Sequence, residues 1–203
     1  MRTLKLALAS LFAAFAMGVL VQPASASDVT FFPGGALALT SSDLRFESPG
    51  GVMAMTCPTT LEATLDNAAV PLAAGSEIGS LDWYSSGPCR GGSMTLLMPG
   101  DPMPVRIVSL AGTAPAALTS IRVEVTDFGA VLFTSVFGVR AQCLYAGTLV
   151  GDIPLAGSNL YAAASLTLVR TTWTLAAGFS PCQPMGSFTG TFTFDPVQAV
   201  IVS

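Results

Sequence analysis

Histidine is absent from the chain, and lysine occurs once, at Lys5. The first absence removes the proton acceptor of Ser-His-Asp and Cys-His sites and a common metal ligand. The second removes, beyond residue 5, the amine that Schiff-base chemistry needs. A G-x-S-x-G elbow, a phosphate-cradling glycine loop, a dinucleotide fingerprint and a calcium-loop spacing are also missing. Charged residues make up 10% of the chain, against roughly 25% in an average soluble domain. The exposed faces must therefore be built from Ser, Thr, Gly, Ala and Pro. Such a surface fits a self-assembling or wall-associated protein whose faces are covered by a partner, or simply a style of secreted composition.

Positive charge is the scarcest kind. Beyond the N-terminal segment, Arg45, Arg90, Arg106, Arg122, Arg140 and Arg170 face 12 acidic residues. They are scattered singly, so neither nucleic acid nor an anionic membrane is the expected partner, because phosphate binding needs clustered positive charge.

Long apolar runs are equally scarce. The run Leu6 to Val21 follows basic Arg2 and Lys5 and precedes Pro23 and the small residues Ala24, Ser25 and Ala26, the order of a cleavable secretory signal. Its about 16 apolar residues fall short of the ~20 that a spanning helix needs. The reading is a signal peptide over 1–26, cleaved after Ala26, and one domain over 27–203 with no membrane span. Ser27 and Asp28 stand where a lipoprotein would carry cysteine. The expected location is secreted, extracellular or at the cell surface, with the periplasm as the alternative.

Four cysteines, Cys57, Cys89, Cys143 and Cys182, remain in a chain bound for an oxidising compartment. Three pairings are possible. Cys57 with Cys89 and Cys143 with Cys182 is favoured, because each pair lies within one half and closes a loop of roughly 30 to 40 residues, giving about 3 to 4 kcal/mol per bridge. Zinc is the competing reading, with neither C-x-x-C nor histidine to support it. No cofactor is expected.

Turn signals recur along residues 27–203, among them Pro33-Gly34-Gly35, Pro49-Gly50-Gly51, Gly91-Gly92, Pro99-Gly100-Asp101 and Asp127-Phe128-Gly129. Short strands fit between them. Ile121, Val123 and Val125 alternate with Arg122, Glu124 and Thr126, and Phe188, Phe192 and Phe194 alternate with threonines. The run Val131 to Leu149 reads as two strands hinged near Gly138, Leu166 to Leu175 as one more, and Val197 to Val202 as the last. Residues 68–74 and 159–166 allow single helical turns. The predicted fold is all-β, a two-sheet antiparallel β-sandwich, immunoglobulin-like or jelly-roll-like, stapled by disulfides. A membrane β-barrel fits the length but not the aromatic content, which is too low for two girdles.

Pro88-Cys89 before Gly92-Ser93-Met94-Thr95 echoes Pro181-Cys182 before Gly186-Ser187-Phe188-Thr189, through duplication or through two turns solving the same problem. Pro99, Pro102 and Pro104, with Met98 and Met103, form a stiff apolar edge or inter-sheet crossing. A signal peptide, a Cys-bounded first hairpin region, this Met98 to Val108 crossing and a late Cys before a Gly-Ser-Phe-Thr-Gly strand together resemble exported bacterial all-β proteins without an assigned function, a broad group that includes an alkane-oxidation activator. The resemblance implies an exported all-β fold. The crossing lacks the tryptophan expected of the activator, so no role or functional residue is carried over.

Two candidate sites remain. Asp82-Trp83-Tyr84 is the one cluster of large aromatics beside a carboxylate, able to stack on a sugar ring while hydrogen-bonding its hydroxyls. Glu77, Asp82, Glu124 and Asp127 are the carboxylates to consider for paired acid–base chemistry, without a signature in their spacing. The leading expectation is a non-enzymatic structural or adhesion-type protein that self-associates or binds envelope or matrix components through edge strands, an unpaired Val197 to Val202 being the first candidate. The alternative is a carbohydrate-binding module or a carboxylate-based glycosidase.

Overall fold

A computed structural model describes residues 27–98, 102–158, 160–178 and 181–203. The signal segment and the Pro99-Gly100-Asp101 turn lie outside them. In chain order the strands are β1 (Asp28–Phe32), β2 (Gly35–Glu47), β3 (Ala54–Leu65), β4 (Val70–Pro71), β5 (Glu77–Ser86), β6 (Gly92–Leu97), β7 (Met103–Thr113), β8 (Ala117–Val136), β9 (Val139–Pro154), β10 (Ala156–Ser158), β11 (Leu160–Leu168), β12 (Thr172–Gly178), β13 (Met185–Thr189) and β14 (Thr191–Val202). β3 shows why they form. Met55, Cys57, Thr59, Leu61, Ala63 and Leu65 are buried, while the residues between them face outward. This period of two matches a pleated strand with one side on a core.

The expected antiparallel all-β architecture is present, and its hydrogen bonding forms one continuous sheet. The path β2–β3–β5–β7–β8–β9–β11–β14 returns to β2 through the pairing of Thr193 to Asp195 with Ala38 to Thr40. Apolar side chains point in and Thr, Ala and charged residues largely point out, the reverse of a lipid-facing barrel.

Register breaks at Ser41/Leu44 in β2 and Val125/Phe128 in β8 divide the barrel into two stacked sections. Bulges bend and twist the strands that carry them. The ring above forms the first section. In the second, β12 and β13 take the places of β11 and β14, pairing with β9 and β2, while β6 pairs with β8. β6 and β7 both lie along the same side of β8, opposite its residues 129–134 and 117–124, β6 ending at Leu97 and β7 beginning at Met103.

Both favoured disulfides are present, Cys57–Cys89 and Cys143–Cys182, and both lie in the second section. Just ahead of β6 the chain meets β3 through the bridge of Thr56 with Arg90 and the bond from the Gly87 N–H to the Pro58 carbonyl, and Cys57–Cys89 fastens that seam. Cys143 on β9 holds the segment joining β12 to β13 through Cys182. The echoed Pro-Cys motifs therefore do the same job, each locking the entry to a short strand.

The two sections have different interiors. The first is mainly aliphatic, with leucine, isoleucine and valine from the ring strands, and Phe194, around a cavity of about 60 Å³. That volume is well below the ~150 Å³ that admits benzene in a known case, so the interior is a packed core. The second is aromatic: Phe46 meets Tyr145 and Phe188 at 4.7 and 5.1 Å, and Trp173 meets Phe188 and Phe128 at 4.6 and 5.9 Å. Gly147 and Gly186 let those rings approach. A Cβ at 147 would lie 2.8 Å from the Trp173 indole, and one at 186 would lie 2.1 Å from the Phe46 ring.

Four expectations need correction. Val197 to Val202 is not an unpaired edge, since it lies between β1 and β11. Closure removed that edge, leaving short ones such as β4 and β10, each paired on one side. Residues 160–168 are strand instead of a helical turn, with Tyr161, Ala163, Leu166 and Leu168 buried around a bulge near Ser165. Residues 68–74 contain the short β4. Leu166 to Leu175 is split between β11 and β12, because the chain turns at Val169 to Thr171 to move from one section to the other.

Candidate functional site

The strand β5 carries the aromatic–carboxylate cluster, and a bulge decides how it is displayed. Leu81 pairs with Ala63 and Trp83 with Glu62, leaving Asp82 without a partner on β3. The extra residue turns both Asp82 and Trp83 away from the core. Tyr84 returns to the inward parity opposite Leu61. Trp83 is consequently 52% exposed, whereas Trp173 is fully buried and donates its indole N–H to Thr171.

The Asp82 carboxylate accepts the hydroxyls of Thr64 and Ser80, each at 2.6 Å. Those bonds orient the group and use one acceptor position on each oxygen, leaving lone pairs free for a ligand. The rings of Trp83 and Tyr84 lie 6.5 Å apart and 26° from parallel. Tyr84 packs partly against the core, and that burial raises its phenol above the ordinary range. Of the sequence trio, Trp83 supplies an open face, Asp82 an oriented carboxylate, and Tyr84 mainly support.

The carboxylate candidates are not brought together as a free pair. Glu77 and Glu124 flank Arg106 on neighbouring strands, with the Glu77–Arg106 pair at 3.8 Å. Two strand spacings put the glutamates about 10 Å apart with a cation between them. Asp127 sits in the β8 bulge with a positive φ of 59°. On the outer face, Arg122 grips Asp152 through two bonds of 2.8 Å. The hydrogen bond from Arg122 holds Asp152 below the usual carboxylate range and raises the guanidinium in turn.

Exposed apolar side chains are the feature that sequence reasoning missed. Phe32, Leu160, Val197 and Ile201 are all exposed on the outer face of β1, β11 and β14. Leu160 lies directly opposite Ile201, while Thr30 and Phe32 on β1 oppose Ile201 and Ala199. A second group, Phe133, Phe137 and Val139, stands at the end of the β8–β9 hairpin. Residues 197–202 gave no signal for an exposed face, since their outward positions 197, 199 and 201 are all apolar and the one polar residue, Gln198, is buried; which residues lie beside them depends on pairings between distant segments.

These features define a closed, disulfide-bonded antiparallel β-barrel with apolar groups displayed on its outside. No family model, curated protein or solved structure matches the chain.

Proposed function

We propose that this is an exported bacterial contact protein, non-enzymatic and of the structural or adhesion type, working outside the cytoplasm through the outer wall of its barrel. The carrying observation is the group Phe32, Leu160, Val197 and Ile201 on one sheet face. A contiguous apolar face with few charges is what a partner covers. The signal-like N-terminus and two disulfides support export to an oxidising compartment, either the cell surface or the medium. Because the terminal strand is internal, contact runs through side chains on faces rather than through strand addition.

Fractionating the native host and measuring the mass of the exported protein by light scattering tests this reading. A surface-bound or high-mass species supports it. A freely secreted monomer at all concentrations overturns it.

A second reading is carbohydrate binding at Trp83 and Asp82, favoured by the bulge that exposes both. An indole face stacks on a sugar ring while the fixed carboxylate accepts its hydroxyls. Quenching of Trp83 emission by soluble sugars supports it, and unchanged emission across a glycan panel removes it.

A further inference from the structure

The turn between β8 and β9 is made by Phe137 and Gly138, with φ of 50° and 81°. Both residues are left-handed, as in a two-residue type I′ hairpin, which favours Asn-Gly or Asp-Gly. In that conformation a bulky L residue crowds its Cβ against the following carbonyl. Phe137 occupies this position and is 85% exposed, so its ring gains no packing within the molecule in return. Exposed Val139 and Phe133 extend the apolar tip. Asparagine would carry this conformation at lower cost, so the fold itself does not call for phenylalanine here.

Charge around the tip points to the partner. From Phe128 to Gly151 the sequence contains no Asp or Glu. Arg140 lies on the hairpin stem opposite Ser135, and Arg90 lies in the adjacent turn, where the Gly91 carbonyl accepts the Thr134 hydroxyl. Arg45, Arg106 and Arg122 have acidic partners, but Arg90 and Arg140 have none among the described residues. The apolar face on β1, β11 and β14 has the opposite flanks. Asp28 on β1 and Asp195 on β14 border it, also without ion pairs among the described residues. β11 meets β9 at Gly151 and Asp152, toward the end of the hairpin away from the tip.

One molecule thus carries two exposed apolar surfaces in different sections, one bordered by arginines and the other by aspartates. We propose that the Phe137 tip of one copy docks on the Phe32–Leu160–Ile201 face of a second copy, Arg90 and Arg140 meeting Asp28 and Asp195. The contact is heterologous. Each added copy keeps one tip and one face free, so assembly proceeds head to tail instead of stopping at a symmetric dimer. This rests on the contact-protein reading and gives it a partner, a further copy of the chain.

The test uses two variants of the exported protein, Phe137→Asn and the pair Leu160→Thr with Ile201→Thr. The unsubstituted protein is expected to gain mass with concentration and to lose it as salt is raised. Each variant alone should be monomeric, with the melting temperature of Phe137→Asn at or above that of the parent. Mixed, the two should form a species of two chains and no larger, since one contributes an intact face and the other an intact tip. A mixture that stays monomeric overturns the proposal, as does assembly that survives Phe137→Asn. If the unsubstituted protein is monomeric at every concentration, head-to-tail assembly is wrong. Recovery of that monomer on the cell surface would still support the contact reading, whereas its recovery free in the medium would remove both. Tip-dependent binding to phosphatidylglycerol vesicles without self-association would replace the second copy with a lipid surface and likewise overturn the proposal.

Discussion

The side-chain amide of Gln198, fully buried in β14, accepts the backbone N–H of Gly34 at 3.0 Å. Its Nε2 donates to the Pro196 carbonyl at 3.0 Å. One polar side chain thus fixes the β1–β2 turn against the far end of the chain, and Asn67 packs beside the same turn, 2.7 Å from where a Cβ on Gly34 would lie.

Gln198→Leu keeps approximate volume but leaves the Gly34 N–H without its partner. An unsatisfied buried donor costs about 1–3 kcal/mol. Equilibrium denaturation should show a lower midpoint with an unchanged slope, the mark of lost stability without a change in the surface exposed.

At Gly186 the limit is space, because the backbone φ there is an ordinary one and the Phe46 ring occupies the Cβ position. Gly186→Ala should destabilise by at least the ~1–3 kcal/mol of an overpacked core. The circular dichroism of the Phe46, Tyr145 and Trp173 cluster should weaken with it in the near ultraviolet. Gly138→Ala, by contrast, meets no atom, and its effect comes from the positive φ alone.

Cys57–Cys89 fastens the seam where β3 and β6 share little backbone pairing. Replacing both cysteines by alanine should cost about 2–5 kcal/mol, and the loss should be local first. Amide exchange at Met94 and Leu96 on β6 is expected to accelerate before exchange at Ile121 and Val123 on β8. Uniform acceleration would show that the seam opens only by global unfolding.

These relationships also show how far the sequence could be read. Alternation at Ile121, Val123 and Val125, and at Phe188, Phe192 and Phe194, identified inward faces correctly because burial and strand period are local properties. Residues 160–168 were open to misreading because Ala162, Ala163 and Ala164 carry little side-chain contrast, and a bulge near Ser165 interrupts the period. Closure was not legible at all. It depends on Thr193 meeting Thr40, a pairing between opposite ends of the chain. For the same reason, Asp82-Trp83-Tyr84 could be found as a cluster, but the bulge that exposes Trp83 and Asp82 together could not.

Tyr145 gives the fold an alkaline limit. Its hydroxyl donates to the Gln183 carbonyl at 2.9 Å, and burial pushes the phenol from 10.0 up to about 12. The unfolded phenol ionises first, so the native state is penalised relative to the unfolded state as pH rises. This stabilising contribution is complete below pH 10.0 and is lost as pH climbs from there to about 12. Tyr145→Phe should lower stability at neutral pH by about 0.5–1.5 kcal/mol through the lost hydrogen bond. Its decline across the alkaline window should be shallower than that of the parent. Some decline should remain, because burial raises Tyr84 as well.

Trp83 faces outward on β5 and Trp173 is buried on β12, and that makes each a separate reporter. Trp173 has no exposure and lies among aromatic rings, while Trp83 is 52% exposed on the outward side of a bulge. Emission from the intact protein should therefore combine a blue component, shielded from acrylamide, with a red one that acrylamide quenches. Trp83→Phe should remove the red component and leave stability within about 0.5 kcal/mol, as for a surface position without a special backbone or polar role. Asp82→Ala should be less neutral, since it strands the Thr64 and Ser80 hydroxyls that now point at the carboxylate. If a sugar quenches only the red component, and Asp82→Ala abolishes that response while acrylamide still reaches Trp83, the indole and carboxylate act on the ligand together. A sugar response that survives Asp82→Ala would reduce the site to a stacking surface.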